Sequence, residues 1–321
     1  MTSTVRRGYV DVHGHFAPLG EVGGGPPSLR DPERSLEIKR ELGVSLTIVG
    51  SPAGPGSMLP SQAAGNYRQP VDRVRAHNEA MAALVDRYPE DLRGYVYVNP
   101  LGGDAMLAHA VELLEQWQFV GLIANSSIDG QFLDDERAAD FFAMAEQAGV
   151  PVLLHPPAAP VGAESIRQLG FVEHVARVCD VTMGVAAIVC AGWLERHPDL
   201  LLIAAAGGGG LANLPEKLDM AMAERHGGFA GLAGPPSRSL RRILVECSCP
   251  SPVQLRANLA TFGSSNVLFG TDAPPLMMEA KRIVDLVSDP GLDHEVRQAI
   301  AWGNAARVFG LAMAEAPSAP R

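Results

Sequence analysis

Long apolar runs are missing from this chain of 321 residues. Nothing in it approaches the stretch of about 18 consecutive apolar residues that reads as a membrane-spanning helix. The opening MTSTVRRGYVDVHGH has no apolar core of the signal-peptide kind, so cytoplasmic residence is the expectation. Cysteine is scarce as well: Cys179, Cys190, Cys247 and Cys249 are too few and too irregular for a disulfide framework, and Cys247-Ser248-Cys249 is not a CxxC pair. Reduced thiols, buried or lining a pocket, follow from that. Basic clusters are absent beyond short pairs such as Arg241-Arg242, and the formal net charge is -10. A nucleic-acid surface is thereby disfavoured and a small-molecule partner expected, although net charge is silent about the chemistry of a site. No GxGxxG turn follows the first strand, which removes the dinucleotide-binding fingerprint, and Gly207 to Gly210 lacks the Lys-Ser/Thr ending of a phosphate loop.

What is present is an alternation. Apolar, β-branched runs at Tyr9 to Val12, Leu46 to Val49, Gly94 to Val98, Val120 to Ala124, Val152 to Leu154, Leu200 to Ala205, Ile243 to Cys247 and Val267 to Phe269 read as strands buried on both faces. Between them Asp72 to Tyr88, Asp104 to Gln118 and Asp135 to Ala148 are apolar at spacings of three and four, as helices are. Asp134 is the expected cap of the third and Gly149 its stop. Strand and helix in turn, ending on an eighth strand, predict a closed (β/α)8 TIM barrel over residues 8–312, with a disordered tail at 313–321. The Gly/Pro-rich stretches Gly20 to Pro27 and Ser51 to Pro70 follow strands and so belong to the catalytic face, as lid or rim.

Chemistry concentrates at strand ends. His13 and His15 lie two apart in VDVHGH, so both imidazoles project to one face and can share an ion. His155 closes the strand in LLHPP, and Asp272 follows the last strand in FGTDAPP. Singly, a loop or core histidine, or an aspartate capping the next helix, explains each one. Together, strands one, five and eight converge on one barrel mouth and deliver three nitrogens and a carboxylate there.

With those residues, VDVHGHFAP, GLIANSSIDGQFLDDERAADFFAMAEQAGVPVLLHPP, GWLERHPDLLLIAAAGGGG, VLFGTDAPP and GNAARVFGL resemble, in order and over nearly the whole chain, the amidohydrolase-related family. That family includes aminocarboxymuconate semialdehyde decarboxylase and the resorcylate-type decarboxylases. The resemblance implies a divalent metal, zinc first and manganese second, on His13, His15, His155 and Asp272, with Asp272 also moving protons. It also implies a homodimer. One departure stands out: relatives read Ala-His-Gly-Gly-Gly after the sixth strand, whereas this chain reads Ala205-Ala206-Gly207-Gly208-Gly209. Losing a positioned acid/base group costs about 10²- to 10⁴-fold in rate, so another group compensates or the reaction differs.

Candidates for that compensation sit in LVECSC. Glu246 is either a catalytic carboxylate or one satisfied by a buried arginine, and Cys247 and Cys249 line the pocket or pack. Arg68 is the candidate for gripping a substrate carboxylate, or else a solvated loop charge. Asn125 faces the pocket or forms a turn. His77, His109, His197 and His294 read as surface residues, while His174 and His226 could reach the pocket. The expected function is metal-dependent, non-oxidative decarboxylation of a small carboxylated, cyclic substrate. Alternatives are hydrolysis of a lactone, amide or ester by a metal hydroxide, a cyclase or isomerase, and a catalytically rerouted binding protein.

Overall fold

The computed structural model describes residues 4–18, 27–50, 71–229 and 231–314. The strands are β1 (Tyr9–Gly14), β2 (Val44–Val49), β3 (Leu92–Tyr97), β4 (Phe119–Asn125), β5 (Ser127–Ile128), β6 (Gln131–Phe132), β7 (Val152–His155), β8 (Leu202–Ala204), β9 (Leu244–Glu246) and β10 (Val267–Leu268). Eight of them form one parallel sheet in the order β1-β2-β3-β4-β7-β8-β9-β10. Two bonds carry the sheet around: Val12 donates to the Phe269 carbonyl at 2.9 Å and Asp272 N–H to the His13 carbonyl at 2.7 Å. Closure makes this a barrel, as the alternation predicts. The short hairpin β5–β6 is an addition that apolar runs do not signal, because Ser127 and Gln131 break the pattern.

Each strand is short and apolar because its neighbours bury it on both faces. Val152, Leu153 and Leu154 of β7 are fully buried, as are Ile203 and Ala204 of β8. At about 1.5–3 kcal/mol per large aliphatic side chain, such burial is the main term favouring the fold. Two clusters share it. The larger contains Val10, Val12, Leu46 and Ile48, whereas Val49 and Leu92 join Leu36, Met81, Leu84 and Val85 in a smaller one beneath helices α1 (Pro32–Glu41) and α2 (Val71–Arg87).

Helix ends follow local chemistry. Asp31 caps α1 by accepting from Arg34 N–H at 3.1 Å, and Pro32 opens the helix where no N–H is needed. Beyond α3 (Asp104–Leu114), α4 (Ala139–Ala148) stops at Gly149, whose φ of 64° is the left-handed conformation expected of a stop. The cap before α4 is Asp135 and not Asp134: its carboxylate accepts from Arg137 N–H at 2.9 Å, opening a short 3-10 turn ahead of the helix.

The histidines sort differently once tertiary packing is seen. His77, on the inner side of α2, is buried with its ring 6.1 Å from that of Tyr97, and His109 of α3 is buried too; neither is a surface residue. His197 is partly buried against Glu146 at 2.8 Å, and His294 is exposed as expected. His174 and His226 are both exposed. At the chain ends Val5 pairs with Met313, and Ala314 N–H reaches the Val5 carbonyl at 2.7 Å, so ordered contacts run past the expected limits of 8 and 312.

Candidate metal centre

At the C-terminal mouth of the barrel the four expected ligands meet. His13 and His15 come from the end of β1, which carries a register irregularity against β2 between Asp11 and Gly14. Gly14 is required between them: a Cβ there would lie 2.4 Å from Thr47 Cγ2. The Nε2 atoms of His13 and His15 are 3.1 Å apart, and Asp272 Oδ1 lies 2.9 Å from His15 Nε2 and 3.5 Å from His13 Nε2. His155, ending β7, sets its ring edge-on to both, and one donor atom from each of the four residues lies within 4.8 Å of every other.

These spacings fit a cation. With metal–ligand bonds of about 2.1 Å, donors sit about 3.0 Å apart at right angles and about 3.4 Å apart in a tetrahedron. The tautomer fits as well. His15 Nδ1 is held by the Gly50 carbonyl at 2.7 Å, so its hydrogen sits there and the Nε2 lone pair faces the cluster. Asp272 has φ of 56°, a left-handed backbone that aspartate tolerates at some cost, fixed by its N–H bond to His13.

The electrostatics are those of a ligand set. Burial opposes the Asp272 charge, yet His13, His15 and His155 outweigh it and hold the carboxyl well below its usual range. Burial lowers His15, and it lowers His155 well below the ordinary value with help from the positive charges of His15 and Arg177. His13 moves up in spite of its burial, because Asp272 and Glu246 flank it.

The sequence matches the amidohydrolase family over residues 10–311. The chain belongs to that family. Among curated relatives, this amidohydrolase is 28% identical over 245 residues to the decarboxylase orsB of Emericella nidulans, covering 69% of the chain and 67% of the relative. Among solved structures it resembles 5-carboxyvanillate decarboxylase LigW of Sphingomonas paucimobilis with a TM-score of 0.78, at 19% identity over 94% of this chain and 99% of that one. It also resembles a dihydroxybenzoic acid decarboxylase of Polaromonas, solved with manganese and 2-nitroresorcinol, with a TM-score of 0.79, at 19% identity over 96% and 98% of the two chains. The family resemblance and the barrel are both borne out.

Other expected residues of the amidohydrolase fall in different places. Glu246 is fully buried, and among the described residues no arginine satisfies it. Its Oε1 faces His13 Nδ1 at 3.3 Å and accepts from Ser248 Oγ at 2.8 Å and from Gly207 N–H at 3.2 Å. It packs so closely on Gly270 that a Cβ there would lie 2.7 Å from its Oε2. Cys247 is buried in the apolar core, and burial pushes its thiol well up, which suits packing and not a polar substrate contact. Cys249 is half-buried against Gly207. Arg68 lies outside the described residues.

Asn125 ends β4 with its Cα paired to that of His155, and its side-chain Nδ2 is buried without a partner among the described residues. Ala206 sits just beyond β8 in a left-handed bend at φ 54°, next to the Gly207 amide that meets Glu246. Two groups escaped the reading of the sequence. One is the buried pair of Lys39 from α1 and Asp11 within β1, and the other is Arg177 beside Pro156. Lys39 carried a signal, since it falls three residues after Leu36 on the inward face of α1.

Proposed function

We propose that this amidohydrolase is a metal-dependent, non-oxidative decarboxylase of a small carboxylated, hydroxylated ring. The observation that carries the reading is the joint placement of His13, His15, His155 and Asp272, with Asp272 the member whose side chain stays 30% exposed. A divalent cation bound there, zinc or manganese, supplies Lewis acidity toward substrate oxygens and withdraws electrons from the ring.

The chain's own residues do the rest. Asp272, ionised and reachable, accepts a proton from the ring hydroxyl at a carboxylate oxygen and returns it to the ring carbon. That carbon keeps the electron pair when its bond to the carboxyl carbon breaks and CO2 leaves. Asn125 offers an unpaired donor to a substrate oxygen at the edge of His155. Glu246 orients His13 from behind. Efficient hydrolysis would gain from an imidazole base beside Asp272 to share the proton of the attacking water; position 206 carries alanine, and Glu246 is buried behind His13. Decarboxylation needs no such base.

The test is incubation of the metal-loaded protein with a panel of hydroxylated benzoates, measuring CO2 and the decarboxylated ring. Asp272→Asn should lower turnover by about 10²-fold or more. Turnover of lactones, amides or esters in place of the benzoates overturns the reading. Metal analysis after purification without chelator decides between zinc and manganese. Cytoplasmic residence accords with four free cysteines and with the absence, among the described residues, of a helix long and apolar enough to cross a membrane. For the homodimer, the exposed Phe171, Val175 and Met183, spaced at four and eight residues, offer an apolar stripe to a second copy; molar mass by light scattering tests it.

A further inference from the structure

The helix after β7, α5 (Arg177–Cys190), is stapled to the mouth of the barrel. Asp180 in its first turn accepts from Ser126 Oγ, from Ser127 Oγ at 2.7 Å and from Val161 N–H at 2.8 Å, and Gly184 packs against the Ser126 carbonyl. One turn earlier this clamp fixes Arg177, which is 7% exposed. Its Nη1 donates to Glu173 at 2.7 Å, and its Nη2 makes only a 3.3 Å contact with the carbonyl of Pro156, the residue after His155. Its Nε is buried with no partner among the described residues.

The weakly used edge is therefore the Nε/Nη2 fork, which holds only the long Pro156 contact among the described residues and is the pair of parallel donors that meets both oxygens of a carboxylate. Leaving a buried charged donor unpaired costs free energy, and such a cost persists in a folded protein where a ligand removes it. A second donor without a partner among the described residues, Asn125 Nδ2, belongs to the strand residue paired with His155.

We propose that Arg177 forms a subsite for a second anionic group of the substrate, a carboxylate that stays on the ring when CO2 departs. The departing carboxylate is the wrong partner for this cation. Decarboxylation releases a neutral molecule, so a full charge pairing with the leaving group stabilises the ground state over the transition state and slows the reaction. A retained carboxylate pairs equally in both states and contributes binding and orientation without that penalty. The substrate class is thereby narrowed to rings with two acidic groups. The inference takes the decarboxylase reading only for which group departs; the anion subsite stands on Arg177 itself.

The test is calorimetric titration of the manganese-loaded and the metal-stripped protein with benzoate, phthalate, isophthalate and terephthalate, three spacings of a second carboxylate. At least one dicarboxylate should bind ten-fold or more tightly than benzoate in the loaded protein. Arg177→Gln should bring that preference to within about two-fold while benzoate affinity holds. Arg177→Lys should keep the fold and lose most of the preference, because an ammonium cannot present the fork. Glu173→Gln, removing the competing carboxylate, should raise dicarboxylate affinity several-fold. A preference that is absent, or that survives Arg177→Gln or Arg177→Lys, overturns the subsite. Failure of the decarboxylase reading looks different: no CO2 from any ring, with the Arg177-dependent preference intact.

Discussion

Lys39 Nζ lies 2.6 Å from Asp11 Oδ2 in an ion pair almost wholly removed from solvent, directly behind the first two ligands. Burial lowers the Lys39 pKa, and Asp11 works against that shift. The same carboxylate accepts from His13 N–H at 3.1 Å, from Thr271 N–H at 3.0 Å and from Thr271 Oγ1 at 2.6 Å. It thus ties the residue before Asp272 to the strand that carries His13 and His15. Lys39→Met strands the carboxylate and should cost about 3–5 kcal/mol, measured by urea unfolding of metal-free protein. Adding Asp11→Asn should recover part of that loss, because the uncompensated charge is gone. A double variant as unstable as the sum of the two singles shows that the pair is not coupled.

The ligands were readable because strand ends in a barrel share one mouth, so His13, His15, His155 and Asp272 needed only their places in the strand order. Arg177 was not, and Lys39 only through its spacing from Leu36, since a charged residue on an amphipathic helix ordinarily faces water and its partner here comes from another element. Glu246 could be placed at the end of its strand, but its partners could not. They come from a backbone amide of the glycine run and from a serine two residues on, contacts that no spacing rule specifies. His77 and His109 were misplaced for the converse reason: polar residues at inward helix positions read as surface until the packing is seen.

Glu246→Gln keeps the size of the side chain and removes its charge. If the carboxylate fixes His13 through the 3.3 Å contact at Nδ1, metal affinity should fall about 10- to 100-fold with helix and strand content unchanged. Competition against a chromogenic chelator measures it. Unchanged affinity would show that Glu246 is only a buried carboxylate satisfied by Ser248 and Gly207.

Asn125→Leu should separate binding from stability. The unpaired Nδ2 carries a desolvation cost that leucine lacks, so the variant should be more stable by about 1–3 kcal/mol in urea unfolding. With the donor gone, KM for an accepted benzoate should rise about five-fold or more. A variant that is destabilised, with KM unmoved, shows that the amide serves the fold and not the ligand.

His77 makes acid stability partly a property of one buried ring. Burial lowers its pKa from 6.5 to about 4 in the folded protein. The unfolded chain therefore binds the extra proton between these values, and stability must rise with pH across that window. The contribution is fully present above about pH 6.5 and is lost as pH falls, by about 2 kcal/mol at pH 5 and about 3 kcal/mol at pH 4. The metal-site histidines are also titratable, so the comparison must be with a variant that keeps them. In His77→Leu the ring and its linkage vanish while His13, His15 and His155 remain. The loss of unfolding free energy between pH 7.5 and pH 5, from urea titrations, should be smaller in His77→Leu by about 2 kcal/mol. Parallel losses in the two proteins would mean that the ring gains a proton in the folded state as readily as in the unfolded one, and that its place against Tyr97 is open to water.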